Sequence, residues 1–200
     1  MKRLVCILSL FSLLLISALP ASSQHSDDIS SISDGFWGSF SRSIVISSIN
    51  NDGRTTEGGS GISFLAGYNL SPNIGFFGGI EGANMRPDMD NMFGLGQVDL
   101  GIQLMPLSES ESIRPYFRAA LTGMSTVERD LNYRGGGLAL TAGAAIYVLP
   151  QLAFNLGYTH SIINIQEVNA GNGWQEADFN ALTGRVQIGL AYHFGRRSHS

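Results

Sequence analysis

The most regular stretch of the sequence is Asn180 to Phe194, in which every second residue from Leu182 onward is apolar or glycine. The alternate row, which contains Arg185 and Gln187, is polar or small. A period of two predicts a β-strand with one face in an apolar medium and the other in a polar one. The stretch is long enough for a tilted strand that crosses a membrane, which needs about 9–11 residues.

The same alternation recurs upstream, so the sequence predicts eight strands. They are Phe36–Ser47, Gly61–Leu70, Ile74–Asn84, Phe93–Met105, Pro115–Val127, Leu138–Leu149, Leu152–Gln166 and Asn180–Phe194. The links after the odd-numbered strands are predicted to be polar loops of roughly 6–12 residues, because they are rich in Gly, Asn and Asp. Residues 71–73 and 150–151 are predicted to be tight, Pro-marked turns, and Pro106 to Arg114 an acidic turn of intermediate length. Short turns at one end and longer loops at the other are typical of transmembrane barrels.

A meander of strands that closes on itself leaves no edge unpaired, as a hydrocarbon environment requires. The predicted fold is therefore all-β, an eight-stranded antiparallel up-and-down transmembrane β-barrel over residues 35–194. Charged residues make up 14% of the chain, against about 25% in average soluble domains. The net charge of −4 gives no indication of a nucleic-acid partner.

The first 23 residues have the features of a cleaved signal peptide. Lys2 and Arg3 precede an apolar run, and small residues surround the expected cleavage site before Gln24. Residues 24–34 are predicted to be a flexible periplasmic arm and residues 195–200 a short periplasmic tail. Cys6, the chain's single cysteine, lies in the leader, so we expect no disulfide in the exported protein.

The end of the last strand has a more specific pattern. Gln187, Gly189, Tyr192 and Phe194 are spaced as in the C-terminal signature of bacterial outer-membrane barrels, which the chain resembles. In that family the aromatic residue usually ends the chain, whereas six residues follow it here. Together with the strand pattern, the chain resembles the small eight-stranded barrels of the OmpA transmembrane domain and OmpX class. The resemblance implies a Gram-negative outer-membrane location, contact with outer-membrane lipid and lipopolysaccharide, and recognition by the barrel-assembly machinery.

If the apolar rows face lipid, four charged side chains face the lumen at similar depth. They are Glu81, Asp99, Arg118 and Arg185, two acidic and two basic. We expect them to form a mutually paired charge network, either as a packed polar core or as a gate on a narrow water path. Eight strands leave an interior that side chains about fill, so a wide porin channel is not expected.

Arg42 interrupts the outward apolar row between Phe40 and Ile44. An arginine that faces the middle of a bilayer costs about 2–4 kcal/mol. We therefore expect a bulge or register change at Arg42, with a snorkelling side chain near an interface as the alternative.

An enzyme is not expected, and neither is a cofactor or a metal site. Some outer-membrane barrels modify lipid A with a His–Ser pair on one face, but His160 and Ser161 are adjacent, so a strand sends them to opposite faces. A lipid A acyl hydrolase or transferase stays as one alternative, since a bulge would restore the pair. A soluble lipocalin-like barrel is the other, on the short Gly35-Phe36-Trp37 motif, but lipocalins carry their apolar rows inward.

The function predicted from the sequence is thus a structural or surface-interaction role. It would include envelope integrity, contact with an unidentified surface ligand through the outer loops, or at most a narrow passage. Loops on a rigid scaffold are where such contacts usually occur.

Overall fold

The computed structural model of the protein describes residues 35–51, 53–88, 91–106, 112–127 and 131–194. In these residues eight strands pair antiparallel in chain order, and the first pairs with the last, so the sheet closes into a barrel. The predicted fold class is therefore confirmed. The strands are β1 Gly35–Asn51, β2 Gly53–Ser71, β3 Ile74–Asp88, β4 Asn91–Leu104, β5 Ile113–Val127, β6 Asn132–Leu149, β7 Leu152–Asn169 and β8 Trp174–His193.

Nowhere in these ranges is there a helix long and apolar enough to cross a membrane. The predicted signal peptide (1–23), periplasmic arm (24–34) and tail (195–200) lie outside the described residues.

The two ends of the barrel differ in a way that the sequence did not predict. We call the end that holds the start of β1 and the end of β8 the turn end, and the opposite end the rim. At the turn end, residues 72–73 and 150–151 form the predicted tight turns, and β4 and β5 are linked by residues 105–112. At the rim, a single residue separates β1 from β2, and Asn51 pairs with Gly53.

The prediction of long polar loops at the rim was therefore wrong. Residues 89–90, 128–131 and 170–173 separate the other three strand pairs there. In β2 the residues from Gly53 to Ser60 are all polar or glycine, so the alternation stops there while the backbone ladder continues. The rim is consequently a ring of paired strands with short connections.

The outward face of the wall carries the apolar belt that the alternation predicts. Side chains such as Leu100, Leu121 and Phe36 are about two-thirds exposed, at 67%, 68% and 67%. An apolar outer surface on this scale suits a hydrocarbon surrounding and is the reverse of what a soluble lipocalin-like barrel needs. The inward face is polar at mid-depth, where Ser43, Glu81 and Arg185 are buried.

Candidate functional site

The middle of the lumen is organised around the carboxylate of Glu81 on β3. It accepts a hydrogen bond from the Ser43 hydroxyl at 2.5 Å, one from Arg185 Nη1 at 2.6 Å and one from Gln187 Nε2 at 3.3 Å. These partners lie on β1 and β8, across the barrel interior from β3. Charge-assisted hydrogen bonds of this length are the strong class, so Glu81 ties three strands together through the lumen.

Asp99 on β4 completes the cluster. Arg185 Nη2 lies 3.2 Å from Asp99 Oδ2, so one guanidinium bridges two carboxylates. Gln97 Nε2 donates to Asp99 Oδ1 at 3.2 Å and to the Thr122 hydroxyl on β5 at 2.6 Å. Ser161 on β7 lies 3.4 Å from Arg185 Nη2, which adds another strand to the network.

The side chains of the network leave little empty space in the lumen at this depth. The cavity left among its side chains has a volume of about 10 Å³, and a single water needs at least about that much. Three buried polar atoms, Gln97 Oε1, Asn155 Oδ1 and Arg185 Nε, have no hydrogen-bond partner among the described residues. The cluster is therefore packed tightly but not perfectly satisfied.

Arg118 is not part of this network, and the prediction of a four-membered charge cluster was wrong for this residue. Its guanidinium donates to Gln103 Oε1 at 2.7 Å and reaches no carboxylate among the described side chains. It stacks instead on three aromatic rings, with Cζ 4.3 Å from the ring centre of Tyr116, 5.2 Å from Trp37 and 5.4 Å from Phe77. The reason is register, since Arg118 lies opposite Gln103 on β4, whereas Asp99 lies opposite Thr122.

Aromatic side chains with polar groups lie in the lumen at its turn end. Trp37 donates from Nε1 to Asn69 Oδ1 at 3.1 Å, and the Tyr147 hydroxyl lies 3.2 Å from His193 Nε2. The Trp37 and His193 rings are 6.4 Å apart. This layer lies between the Arg118 site and the turns.

The rim end of the lumen is apolar, whereas the sequence analysis predicts a polar lumen. A cluster of buried side chains packs there above the charge network. Its members are Val45, Ala83, Met85, Leu95, Met124, Ile163, Ile165 and Ala181, with Tyr133, Val168, Ala177 and Phe179 against them. The signal was present in the sequence, because Ile163 and Ile165 continue the inward row of Ser161 as apolar residues.

Arg42 faces outward, and the predicted bulge or register change is absent. β1 keeps a continuous register with both neighbours, and Arg42 pairs directly with Ile62 on β2 and Ile188 on β8. Its side chain is exposed between the outward Phe40 and Ile44. An outward arginine therefore lies inside the apolar belt.

His160 and Ser161 lie on opposite sides of the barrel wall. His160 is exposed on the outer face, and Ser161 is fully buried in the lumen, where it contacts Gln97 and Arg185. The register shift of β7 against β8 falls between Ile165 and Glu167, too far along the strand to reunite the pair. Within the described ranges, no three His, Cys, Asp or Glu side chains come together as a metal site would require.

The four residues of the C-terminal signature have separate structural positions. Gln187 donates a hydrogen bond to the Glu81 carboxylate. Gly189 lies opposite Ser41, and a Cβ at position 189 would collide with the Ser41 side chain and the Phe40 carbonyl. Tyr192 and Phe194 face outward at the turn end, with ring centres 4.9 Å apart in an edge-to-face arrangement. Two of the four residues thus serve the lumen and two the outer surface.

Comparison with known proteins agrees with this architecture. The profile of the outer membrane protein beta-barrel domain family matches residues 11–194. No curated protein matches the chain.

The fold is similar to that of many solved structures, of which three are small outer-membrane barrels covered almost over their whole length. Neisserial surface protein A (NspA) has a TM-score of 0.61 at 19% identity, over 80% of this chain and 97% of that one. OprG of Pseudomonas aeruginosa has a TM-score of 0.55 at 14% identity, over 84% and 100%. Ail, the attachment invasion locus protein of Yersinia pestis, has a TM-score of 0.52 at 16% identity, over 80% and 99%. At these identities the likeness concerns the fold alone.

Proposed function

We propose that this protein, which belongs to the outer membrane protein beta-barrel family, has a structural and surface-interaction role in the outer membrane. We propose further that its lumen is closed. The observation that carries the proposal is the cluster of Arg185, Glu81 and Asp99, which leaves a void of only about 10 Å³ at mid-depth. A solute larger than water has no path through such a layer.

The rim is the surface left for contact with the outside. It consists of strand ladders that continue past the apolar belt to short connections, so it presents a rigid wall. A rigid wall suits recognition, because little ordering entropy is lost when a partner binds. Two of the proteins similar in fold are named for surface and attachment roles, which supports an outward-facing task.

Planar bilayer recording tests the closed lumen. The wild-type protein should give little or no steady current, because the Arg185 cluster blocks the water path. The double variant Glu81→Ser, Arg185→Ser, which removes both charges and most of the side-chain volume, should conduct small ions. Large stable conductance steps in the wild type would contradict the proposal.

Envelope integrity is tested in cells that lack the protein. They should take up more of a hydrophobic dye, and the wild-type gene should restore exclusion.

The matched control is Tyr192→Ser with Phe194→Ser, which removes the aromatic pair of the assembly signature and should fail to insert. Heat-modifiable gel mobility checks insertion, since a folded barrel migrates differently before and after boiling. Normal insertion of the double variant would mean that these aromatics are not recognised by the assembly machinery.

A further inference from the structure

At the rim, one edge of β8 has no neighbouring strand among the described residues. β1 pairs with β8 as far as the pair Ile49 and Ala181, and β1 then ends at Asn51. β8 continues from Asn180 to Trp174, and these residues pair with β7 on their other side. The edge is free because β1 is too short to follow β8 to its end. A free edge of this kind is a template on which another chain can pair.

The free edge presents backbone groups in an orientation that bonds elsewhere on β8 define. The Phe194 N–H donates to the Phe36 carbonyl on β1, whereas the His193 N–H donates to the Gln151 carbonyl beside β7. Successive residues of a strand direct their backbone groups to opposite sides. Even-numbered residues of β8 therefore direct N–H and C=O toward the β1 side, which is the free edge at the rim. These residues are Trp174, Glu176, Asp178 and Asn180.

The sheet behind the free edge is braced on both of its faces. On the exposed face, Arg134 of β6 lies over the Trp174 ring of β8, with Cζ 4.0 Å from the ring centre. On the lumen face, the rings of Tyr133 and Phe179, also from β6 and β8, are 5.7 Å apart and edge to face. Both contacts cross β7, so they hold β8 in place. Little ordering entropy is therefore lost when a further strand is added.

The two faces of the edge strand differ in chemistry. Glu176 and Asp178 lie on the exposed face, whereas Phe179 packs against the apolar cluster of the lumen. Glu176 lies directly opposite Glu167 on β7, and like charges in that position are destabilising. Asp178 accepts a hydrogen bond from Asn164 at 2.9 Å, and a carboxylate can accept further bonds. A cation on an added strand would therefore stabilise this face.

We propose that the free edge of β8 binds an extended segment of another protein as an added antiparallel strand, and that this segment alternates basic and apolar residues. The basic side chains lie opposite Glu176 and Asp178, and the apolar ones lie on the lumen side next to Phe179. Backbone hydrogen bonds supply the affinity and the alternating side chains supply the specificity. A second copy of this chain is disfavoured, because its own acidic edge would repel this one. This partner belongs to the surface-interaction role proposed above, on which the inference rests.

The test uses a capped, fluorescently labelled peptide of about seven residues, the length of the free edge, in which lysine and valine alternate. The full exported protein in zwitterionic micelles should bind it, as measured by fluorescence anisotropy. Amide hydrogen exchange should show new protection at Glu176 and Asp178. Methylating the lysine backbone nitrogens should abolish binding, because in an antiparallel pair those N–H groups bond to β8. Methylating the valine nitrogens instead should leave binding intact, since those groups face away.

Matched variants separate the edge from a general attraction between opposite charges. Glu176→Gln with Asp178→Asn should weaken binding about fivefold, as expected for two exposed ion pairs. Glu128→Gln with Asp130→Asn changes the net charge equally in the link between β5 and β6 and should leave binding unchanged. Gel mobility establishes that each variant is folded.

Three outcomes would overturn the inference: no binding by the wild type, equal binding of the two methylated peptides, or equal losses in the two double variants. The conductance and dye-exclusion results would stand independently of them.

Discussion

Arg185 and Arg118 are buried in the same lumen, at 2% and 7% exposure, but they are held by different chemistry. Arg185 bridges the carboxylates of Glu81 and Asp99. Arg118 contacts no carboxylate among the described residues and stacks on three aromatic rings with one hydrogen bond to Gln103. One site neutralises a charge with opposite charges, and the other disperses it over neutral partners.

The difference determines what each site loses when its arginine is removed. Without Arg185, the buried Glu81 carboxylate and the partly buried Asp99 carboxylate lose the cation that they share. Removing one partner of a buried pair in this way is strongly destabilising, because it leaves an uncompensated charge. Without Arg118, the partners left behind are neutral rings and an amide, and none of them is a stranded charge. The stability lost on substitution should therefore depend on which groups contact the arginine, and not on how deeply the arginine is buried.

The largest effect is expected for Arg185→Met. The free energy of unfolding in urea, measured in lipid vesicles, should fall by about 3–5 kcal/mol because Glu81 and Asp99 lose their counter-charge. Adding Glu81→Met should recover part of the loss, since the remaining cluster then has one carboxylate fewer. If the single variant is as stable as the wild type, the cluster is hydrated and the comparison with Arg118 fails.

An effect of opposite sign is expected at Arg42, whose guanidinium forms no ion pair and no cation–π contact with the described residues. Arg42→Leu should raise the free energy of unfolding by about 2–4 kcal/mol, the cost of an arginine at the bilayer midplane. The same titration in vesicles measures it, with Ile44→Leu as the control for an apolar change in the same row. No gain would mean that the guanidinium reaches a headgroup.

The smallest effect is expected for Arg118→Met. Desolvated cation–π contacts contribute about 2 kcal/mol, and methionine restores some packing, so the loss should be at most about that size. Combined with Asp99→Asn, the two losses should simply add, because the residues are not partners. A coupling above about 1 kcal/mol in that double-mutant cycle would show that Arg118 belongs to the charge network after all, as the sequence predicts.

The strand interiors and the facing of their residues could be predicted because lipid on one side and a polar lumen on the other impose a period of two. The strand ends at the rim could not. From Gly53 to Ser60 both faces of β2 are polar, so the sequence there has the composition of a loop although the ladder continues to Asn51. Gly and Asn, which usually mark turns, lie here within paired strands.

The sequence predicts which charged residues face the lumen, but it does not predict which of them contact one another. Alternation placed Glu81, Asp99 and Arg185 inward, which the structure shows. Which of them meet depends on how far each strand slides against the next, and the periodicity carries no information on that shift. The prediction therefore placed Arg118 among the carboxylates, although it contacts Gln103 and three aromatic rings. The predicted bulge at Arg42 rested on the energetic cost of an arginine that faces lipid, and the strand register shows that the chain tolerates this cost.

The strand extension at the rim makes the barrel a candidate scaffold for displaying foreign peptides. The backbone of β1 continues five residues from Ile46 to Asn51 before a single residue joins it to β2. At about 3.3 Å per residue along a strand tilted by about 40°, this raises the tip roughly 12 Å above Ile46, an exposed apolar side chain of the outer face. A peptide inserted at residue 52 would begin from two paired strand ends, fixed in spacing and direction, above the zone where lipid headgroups crowd the wall.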